Sequence, residues 1–344
     1  MTSAPRKKRT LGRGMGDLLG SSLESLVQGN GETTSAQPDA PRSDEAASAP
    51  LVAPHREPRT APATARVFAV ASGKGGTGKS LLAVNLAVAL AEQLRVCLID
   101  ADLALANAHI LLGLFPTHTT RHLLTGERTL DEILMMGPRG LLLLPGASGV
   151  SEMASLNDAD LSRFMSGMAP LFSRCDAAVL DCPAGLSRQS LLMLHGADVI
   201  AVVTTEDLTA MTDAYALIKT VLAHRPLSSV GIVVNEARSA EEGAETFRRV
   251  SHVVRKFLGR DIPFLGTIPM DKTLERSVAE RIPVVLGHPS SPSARALDDL
   301  AGRLWALQGI EPCLGFPERV RRTISGARPR GAAARRNGGS LCTS

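Results

Sequence analysis

The chain has 344 residues, of which 44% are hydrophobic and 21% charged, as in soluble globular proteins large enough to bury a sizeable core. Its five cysteines form no C-x-x-C pair, which argues against a disulfide scaffold or a zinc or iron–sulfur site and favours a reducing cytoplasm. The net charge of +4 is uneven, because residues 312–344 carry seven arginines and one glutamate whereas residues 67–311 are net acidic.

The N-terminal stretch, residues 1–66, is predicted to be a disordered arm with one short amphipathic helix. Apolar residues recur on one face of a helix over residues 17–28, with Asp17 as a candidate N-cap. A helix of this length does not persist alone in water, so it needs a surface on which to dock, either a partner's or that of its own chain. Residues 29–65 are rich in alanine, proline and serine without periodicity, as in disordered linkers.

Residues 67–311 alternate between apolar runs and helical patterns. Strands are predicted over Val67–Ser72, Arg95–Asp100, Gly140–Pro145, Ala177–Asp181, Val199–Thr204, Val230–Asn235 and Phe264–Pro269. Helices are predicted over 79–94, 105–113, 158–173, 186–196, 208–225, 241–258, 273–280 and 293–307. The strands are nearly continuous runs of Val, Leu and Ile, as in parallel strands covered on both faces. We therefore expect an α/β fold, a doubly wound, mostly parallel sheet with helices on both faces and ligands at the carboxyl ends of its strands.

A glycine-rich loop follows the first predicted strand and precedes a helix, the context in which G-x-x-x-x-G-K-[ST] forms a phosphate-binding loop. Its candidate nucleotide-binding residues are Gly73, Lys74, Gly75, Gly76, Thr77, Gly78, Lys79, Ser80 and Leu81. The glycines let successive backbone N–H groups face one anion. Lys79 is expected to reach the β and γ phosphates of ATP, and Ser80 to bind Mg²⁺. The alternative is a glycine-rich turn that binds nothing.

Polar residues follow other predicted strands at the same edge of the sheet. Asp181 is expected to hold Mg²⁺ through water, because an apolar strand ending in aspartate beside a phosphate-binding loop commonly does so, and Asp100 to support the metal's water shell. Asp102 is a candidate for orienting the attacking water. For each carboxylate alone, the alternative is a helix N-cap.

Four further residues complete the candidate site. Gly185 is expected to offer its N–H to the γ-phosphate and to let its loop move after hydrolysis. Asn235 is expected to pair with adenine, toward which asparagine both donates and accepts. Pro269 and Asp271 follow the last predicted strand and are further candidates for contact with the nucleotide.

The loop from Lys74 to Ser80 has an extra lysine directly after its first glycine, and it resembles the deviant Walker A motif of the MinD/ParA ATPases. Asp100-Ala101-Asp102 and the segment from Asp181 to Gly185 resemble the two switches of that family. The resemblance implies an ATP-dependent homodimer and a slow, partner-stimulated, Mg²⁺-dependent ATPase. It also implies that Lys74 contacts phosphate and reaches across to the partner subunit, so that Lys74, Lys79 and Asp102 are the catalytic candidates.

Within that family the sequence is similar to the flagellar-number regulators of the FlhG/FleN (YlxH) type. The similar stretches are 102–107, 111–114, 140–149 and 204–219. Glu206-Asp207 stands where we would expect Pro-Glu. The implied function is control of flagellar number or placement, with an FlhF-like GTPase as a natural partner.

Two alternatives stay open. The first is a ParA- or MinD-like positioning factor for DNA or the division site. A ParA-like factor needs a basic surface that binds non-specific DNA, and the net negative charge of residues 67–311 argues mildly against such a surface. The second, from another class, is an Mrp-like iron–sulfur carrier ATPase, which needs paired cysteines, whereas Cys182 is solitary in its neighbourhood.

The C-terminal tail, residues 312–344, is basic and is expected to be disordered. Within it Phe316, Val320 and Ile324 recur every fourth residue with arginines between them, so reversible binding of this stretch to a membrane surface is a hypothesis. No apolar signal region and no run of 18 apolar residues is present. We therefore expect a cytoplasmic protein, with peripheral association at the inner face of the cell membrane as an open alternative.

Overall fold

The computed structural model describes residues 65–103, 105–147, 156–225, 228–307 and 314–325. The predicted N-terminal arm, with its helix over residues 17–28, lies outside these residues and stays a prediction. Among the described residues, no helix is long and apolar enough to cross a bilayer.

Eight described strands form one sheet. They are β1 (Arg66–Ala71), β2 (Val96–Asp100), β3 (Met135–Met136), β4 (Leu142–Leu144), β5 (Ala177–Asp181), β6 (Val199–Thr204), β7 (Ser229–Ala237) and β8 (Phe264–Pro269). Their order is β3-β4-β2-β5-β1-β6-β7-β8, and every pair is parallel except β3 with β4. All seven predicted strands are present, which confirms the doubly wound parallel sheet. The short edge strand β3 was not predicted, because two residues carry no periodicity.

The described helices connect and cover these strands. They are α1 (Lys79–Leu90), α2 (Ala108–Leu111), α3 (Thr120–Thr125), α4 (Leu130–Ile133), α5 (Asp158–Met168), α6 (Arg188–Gly196), α7 (Leu208–His224), α8 (Ala240–Leu258), α9 (Lys272–Glu280), α10 (Val284–Gly287), α11 (Pro292–Ala306) and α12 (Phe316–Ile324). Two short 3₁₀ turns lie over Pro138–Gly140 and Ala169–Ser173. The eight predicted helices are all present, with shorter bounds at several ends.

Aliphatic side chains fill the core on both faces of the sheet. In β1, Val67 and Ala69 belong to one layer, and Phe68 and Val70 to the other, because successive side chains of a strand point to opposite faces. Helices α1 and α11 pack on one face, and α5, α6, α7, α8 and α12 on the other. Both faces of the strands are thus covered, which explains why their sequences are continuously apolar.

The central strand β1 lies between β5 and β6. The chain leaves β1 toward β2 on one side of it and later returns past β1 to β6, β7 and β8 on the other side. In open parallel sheets, ligands bind at the carboxyl ends of the strands where the connections diverge in this way. The glycine-rich loop that follows β1 occupies this position.

The C-terminal helix α12 corrects the prediction of disorder for residues 314–325, whereas the rest of the predicted tail, over 312–344, lies outside the described residues and stays a prediction. Phe316 and Val320 on this helix are fully buried. Arg319 donates to the carbonyl of Gly196 at the end of α6 and forms an ion pair with Asp198, with 2.9 Å between the guanidinium and the carboxylate. The apolar face for which membrane binding was a hypothesis is therefore part of the core in this structure. The sequence did not reveal this contact because α6 and Asp198 lie far away along the chain.

The packing of α12 on α6 predicts that an alanine at Gly196 is destabilising, and an alanine at Gly302, which lies outside this contact, serves as the comparison. A Cβ at Gly196 would lie 2.5 Å from Val320 and 2.6 Å from the ring of Phe316, whereas a Cβ at Gly302 in α11 would meet nothing within 4 Å. We expect Gly196→Ala to lower the free energy of unfolding by about 1–3 kcal/mol, because α12 must shift. Gly302→Ala should raise it by about 0.5–1 kcal/mol, because alanine favours a helix interior. Urea titration measures both, and equal effects would contradict the packing.

Candidate functional site

The glycine-rich loop between β1 and α1 depends on the missing side chains of its glycines. Gly76 and Gly78 have φ values of +80° and +78°, in the left-handed region. A Cβ at Gly78 would lie 2.2 Å from the amide nitrogen of Asn235, and one at Gly73 would lie 2.3 Å from the backbone of Asp213. The loop is therefore fixed by close neighbours, and it leads into the N-terminus of α1, where the helix dipole favours an anion.

Lys79, the first residue of α1, is buried beside the end of β5. Its ammonium group donates to the carboxylate of Asp181 at 2.8 Å and to the hydroxyl of Ser80 at 3.3 Å. Burial alone would lower the pKa of Lys79, but the charge and the hydrogen bond of Asp181 hold this pKa above its usual value. Three of the predicted site residues therefore meet at one point.

Asp100 lies beside Asp181, because β2 and β5 place these two residues opposite each other. One carboxylate oxygen of Asp100 accepts from the N–H groups of Asn107 and Ala108, both at 3.0 Å, at the start of α2. The other oxygen accepts from the N–H of Asp102 at 3.3 Å. Burial, followed by the charge of Asp181, raises the pKa of Asp100 to about 7.

The side chains at this edge fit a Mg²⁺ ion. Asp100 and Asp181 are both buried, and the ammonium of Lys79 is the cation that lies against them, so negative charge is in excess. The hydroxyl of Ser80 lies next to that ammonium. Mg²⁺ prefers such oxygen ligands and keeps several of its waters. Ser80 would hold the ion directly, with Asp181 and Asp100 on its water shell, and the ion would neutralise phosphate charge.

The raised pKa of Asp100 predicts a pH effect on the stability of the nucleotide-free protein. This carboxyl loses its proton near pH 4 in the unfolded chain and near pH 7 in the folded protein. The folded state binds the proton more tightly, so the group stabilises the fold at low pH, and this contribution is lost as the pH rises from about 4 to 7. Burial of His195, which lowers its pKa to about 4, acts in the opposite direction over nearly the same range.

A variant therefore isolates the contribution of Asp100. We expect the free energy of unfolding of the wild type, minus that of Asp100→Asn, to fall by about 1 kcal/mol per unit as the pH rises from about 5 to 7. Urea titrations at several pH values measure this difference, from which the shared contribution of His195 cancels. A difference that does not change with pH would contradict the raised pKa.

Asp102 lies half-buried on the loop after β2. Its carboxylate accepts from the N–H of Leu105 at 3.2 Å, which shapes the turn. The charge of Asp102 is close enough to Lys79 to contribute to the raised pKa of that lysine. The structure thus brings Asp102 to the same edge as the predicted phosphate and metal ligands.

Lys74 does not lie against the buried carboxylates but is bound at the start of α7. Its ammonium donates to the carboxylate of Asp207 at 2.6 Å and to the hydroxyl of Thr209 at 2.8 Å. Asp207 also caps α7 by accepting from the N–H of Thr209, and the hydrogen bond from Lys74 is the main reason that the pKa of Asp207 falls to about 2. Asp207 and Thr209 were not predicted as partners of Lys74. Both follow the carboxyl end of β6, so the rule that site residues follow the carboxyl ends of strands could have indicated them.

Comparison with known proteins shows the family to which a chain with this site belongs. The family described as the CobQ/CobB/MinD/ParA nucleotide binding domain matches residues 68–284. The chain belongs to this family. It is 33% identical over 245 residues to the antiactivator FleN of Pseudomonas aeruginosa. The matched region covers 70% of this chain and 88% of FleN. It is 32% identical over 242 residues to the flagellum site-determining protein YlxH of Helicobacter pylori, covering 70% and 81% of the two chains.

Solved MinD structures share the fold. The cell division ATPase MinD of Pyrococcus furiosus superposes with a TM-score of 0.59 at 28% identity, covering 70% of this chain and 98% of that one. The septum site-determining protein MinD of Pyrococcus horikoshii, solved in complex with Mg-ADP, gives 0.58 at 28% identity over 69% and 94%. The resemblance to the MinD/ParA family that the loop from Lys74 to Ser80 indicated is confirmed.

Two residues of this MinD/ParA domain that are predicted to contact the nucleotide form hydrogen bonds within their own chain. The N–H of Gly185 donates to the carbonyl of Ser72 at 2.9 Å, so its predicted contact with the γ-phosphate requires this bond to break. Asn235 donates to the carbonyl of Thr77 at 2.9 Å, and its own buried amide oxygen has no hydrogen-bond partner within the described part of the chain. Asn235 therefore lies directly on the phosphate-binding loop with one acceptor unused, and its pairing with adenine stays a prediction.

Asp271 is the N-cap of α9, the alternative role that the sequence offered for each carboxylate, and its contact with the nucleotide stays a prediction. One oxygen accepts from the N–H of Thr273 in the first turn of α9, and the other accepts from both the N–H and the hydroxyl of Ser293. Its carboxylate therefore joins α9 to α11. Pro269 ends β8 beside Ala237 and is half-buried. Neither residue is brought into contact with the phosphate-binding loop by the hydrogen bonds of the described residues.

Cys182, in the segment that resembles the family's second switch, is fully buried, and burial raises the pKa of its thiol to about 12. Among the described residues, no cluster of three histidine, cysteine, aspartate or glutamate side chains is arranged to hold a metal ion. Cys182 therefore packs in the core as a small apolar side chain, without a second cysteine paired to it in the described part of the chain. The iron–sulfur carrier is therefore not favoured.

Proposed function

We propose that the chain is an ATPase that switches between a monomer and an ATP-bound homodimer, and that this switch controls the number or placement of flagella. The observation that supports it best is the meeting of Lys79, Ser80, Asp100 and Asp181 at the end of a phosphate-binding loop that carries a second lysine, Lys74.

Dimerisation is supported by the apolar side chains at the nucleotide edge. Leu105, Leu186, Leu208 and Met270 each follow a different strand end and are between 44% and 73% exposed. Apolar side chains so exposed around a charged site gain free energy when a second surface covers them. We infer that a second copy of the chain covers this edge when both copies hold ATP and Mg²⁺.

In the proposed cycle the loop N–H groups bind the phosphates, and Lys79 turns from Asp181 toward the β and γ phosphates. The metal ion neutralises phosphate charge when it is bound. Asp102 orients the attacking water, and Gly185 exchanges its bond to Ser72 for one to the γ-phosphate. Loss of that phosphate lets the Gly185 loop return, and the dimer separates. Hydrolysis in this cycle is slow until a partner stimulates it.

The cellular role rests on the relatives. One is named an antiactivator, FleN, and another a flagellum site-determining protein, YlxH, and we propose flagellar number or placement with an FlhF-like GTPase as partner. Placement of the division site is the alternative, because a putative septum site-determining protein MinD of Guillardia theta is also 33% identical over 245 residues. Flagellar counts and cell lengths of a deletion strain separate the two. We place the protein in the cytoplasm, with peripheral association at the inner membrane face.

Light scattering tests the switch directly. We expect wild type to be monomeric with ADP and dimeric with a non-hydrolysable ATP analogue. Asp102→Ala should bind ATP normally, lose most of its turnover, and remain dimeric with ATP itself, because the water is no longer oriented. A wild type that stays monomeric with the analogue would overturn the switch. Normal turnover in Asp102→Ala would remove only Asp102 from its role.

A further inference from the structure

A cavity of about 230 Å³ opens at the amino ends of β7 and β8, at the edge of the sheet opposite the phosphate-binding loop. It lies where β7, which begins at Ser229, extends past the start of β8, whose pairing with β7 begins at Phe264. The turn before β8 and the last turn of α7 form two of its walls. The cavity is therefore separate from the site of the phosphates, and its walls have no role in the cycle proposed above.

The lining of this cavity combines apolar side chains with positive charge. Its apolar side chains include Leu222, Val230, Ile262 and Leu307. Arg260 and Asp261 line it as well. The carboxylate of Asp261 is paired with Arg255, at 2.6 Å between the charged groups, so the guanidinium of Arg260 is a second cation beside one carboxylate. Positive charge is in excess among these three residues, which favours an anionic ligand with an apolar body.

The hydroxyl of Ser228 is a second, independent indication of a ligand. Ser228 lines the cavity and is 6% exposed, and its hydroxyl has no hydrogen-bond partner within the described part of the chain. Its backbone is fixed, because the N–H of Ser228 donates to the carbonyl of Arg225 at 3.1 Å. A buried hydroxyl without a partner costs free energy and is uncommon in folded proteins. A ligand atom that accepts a hydrogen bond inside the cavity would remove this cost.

We propose that the cavity binds a small carboxylate that carries an aliphatic body. The carboxylate accepts from the hydroxyl of Ser228 and from the guanidinium of Arg260, and the aliphatic carbons pack against Leu222 and Val230. An apolar cavity of about 150 Å³ holds benzene, so a cavity of about 230 Å³ suits a ligand of about nine non-hydrogen atoms. A nucleotide is too large for this volume, and inorganic phosphate would leave the apolar walls uncovered.

Ligand-observed NMR titration of the full chain, without nucleotide, tests the proposal. The probe is 4-methylpentanoate, a branched aliphatic carboxylate of the required size. We expect saturable binding with a dissociation constant of about 1 mM. Acetate and 4-methyl-1-pentanol each lack one of the two recognised parts and should bind at least about tenfold more weakly. Equal binding of the acid and the alcohol, or no saturation by the acid up to about 20 mM, would overturn the proposal.

Two arginine substitutions show whether the carboxylate lies in this cavity. Arg260→Gln should weaken the binding of 4-methylpentanoate at least about tenfold, because a charge-assisted hydrogen bond is lost. The matched control is Arg163→Gln, which removes an exposed cation of α5 and should bind the probe as wild type does. Wild-type affinity in Arg260→Gln would overturn the proposal, because the carboxylate would then lie elsewhere.

Two serine substitutions separate binding from stability. Ser228→Ala should weaken binding at least about threefold without lowering the urea midpoint of the free protein, because alanine removes a buried hydroxyl that has no partner among the described residues. Ser277→Ala is the matched control. The hydroxyl of Ser277 is also buried but donates to the carbonyl of Leu274 at 2.7 Å, so this variant should lower the midpoint and bind as wild type does.

The response of Ser228→Ala decides whether its hydroxyl serves a ligand. An unchanged affinity, or a urea midpoint lowered as in Ser277→Ala, would overturn the proposal, since the hydroxyl would then act within the fold. None of these outcomes depends on ATP hydrolysis or on dimerisation.

Discussion

Lys79→Ala is expected to abolish ATP turnover and to weaken ATP binding by at least about a hundredfold. This factor corresponds to the free energy lost with a charge-assisted contact in a low-dielectric site. In the nucleotide-free protein this lysine has a second role, because it is the cation beside two buried carboxylates, Asp181 and Asp100. Removing it leaves Asp181 buried without its partner, which should lower the free energy of unfolding by about 3 kcal/mol. Turnover assays, nucleotide titrations and urea unfolding measure the three effects.

A double variant separates the two roles of Lys79. Adding Asp181→Asn to Lys79→Ala removes the uncompensated charge, so the free energy of unfolding should largely recover while ATP turnover does not. Recovery of both would show that the single variant is inactive only because it is unstable. Recovery of neither would contradict the pairing of Lys79 with Asp181 as the source of the instability.

The sheet could be predicted from the sequence because burial on both faces makes each long strand a continuous apolar run. The same argument fails for Met135–Met136, which is too short to carry a pattern. The helix Leu130–Ile133 was missed although Thr129 and Glu132 form a capping box that is readable in the sequence. The helix Phe316–Ile324 was misassigned for another reason, since its spacing was recognised but its partner α6 could not be.

The candidate site was predictable where one strand end decides the position of a side chain. Asp100 and Asp181 end neighbouring strands, so their meeting follows from the parallel sheet. The cis contact of Lys74 with Asp207 did not follow, because it depends on how the loops after β1 and β6 bend toward each other. Asp271 was open to two roles: the structure shows it capping α9 and accepting from Ser293 of α11, and its contact with the nucleotide stays a prediction.

Lys74→Ala is expected to retain ATP binding and to lose ATP-dependent dimerisation, with the dimer dissociation constant rising by about a hundredfold, as for a lost charge-assisted contact between subunits. In the structure described here Lys74 is held within its own chain by Asp207 and Thr209 at the surface, with about a third of its side chain exposed. A partner phosphate must therefore displace these two contacts. Light scattering with a non-hydrolysable ATP analogue, together with a nucleotide titration, measures the separation of the two functions.

Asp207→Asn is the matched control, because it weakens the same contact from the other side. Asparagine keeps the N-cap of α7, and the substitution removes the charge that holds Lys74 in its own chain. If Lys74 acts across the dimer, this variant should dimerise at least as tightly as wild type, since less free energy is needed to release the lysine. If Lys74→Ala instead acts by loosening the start of α7, both variants should lose dimerisation alike. Opposite responses of the two variants would thus assign Lys74 to the partner's nucleotide, and equal losses would assign it to the local structure.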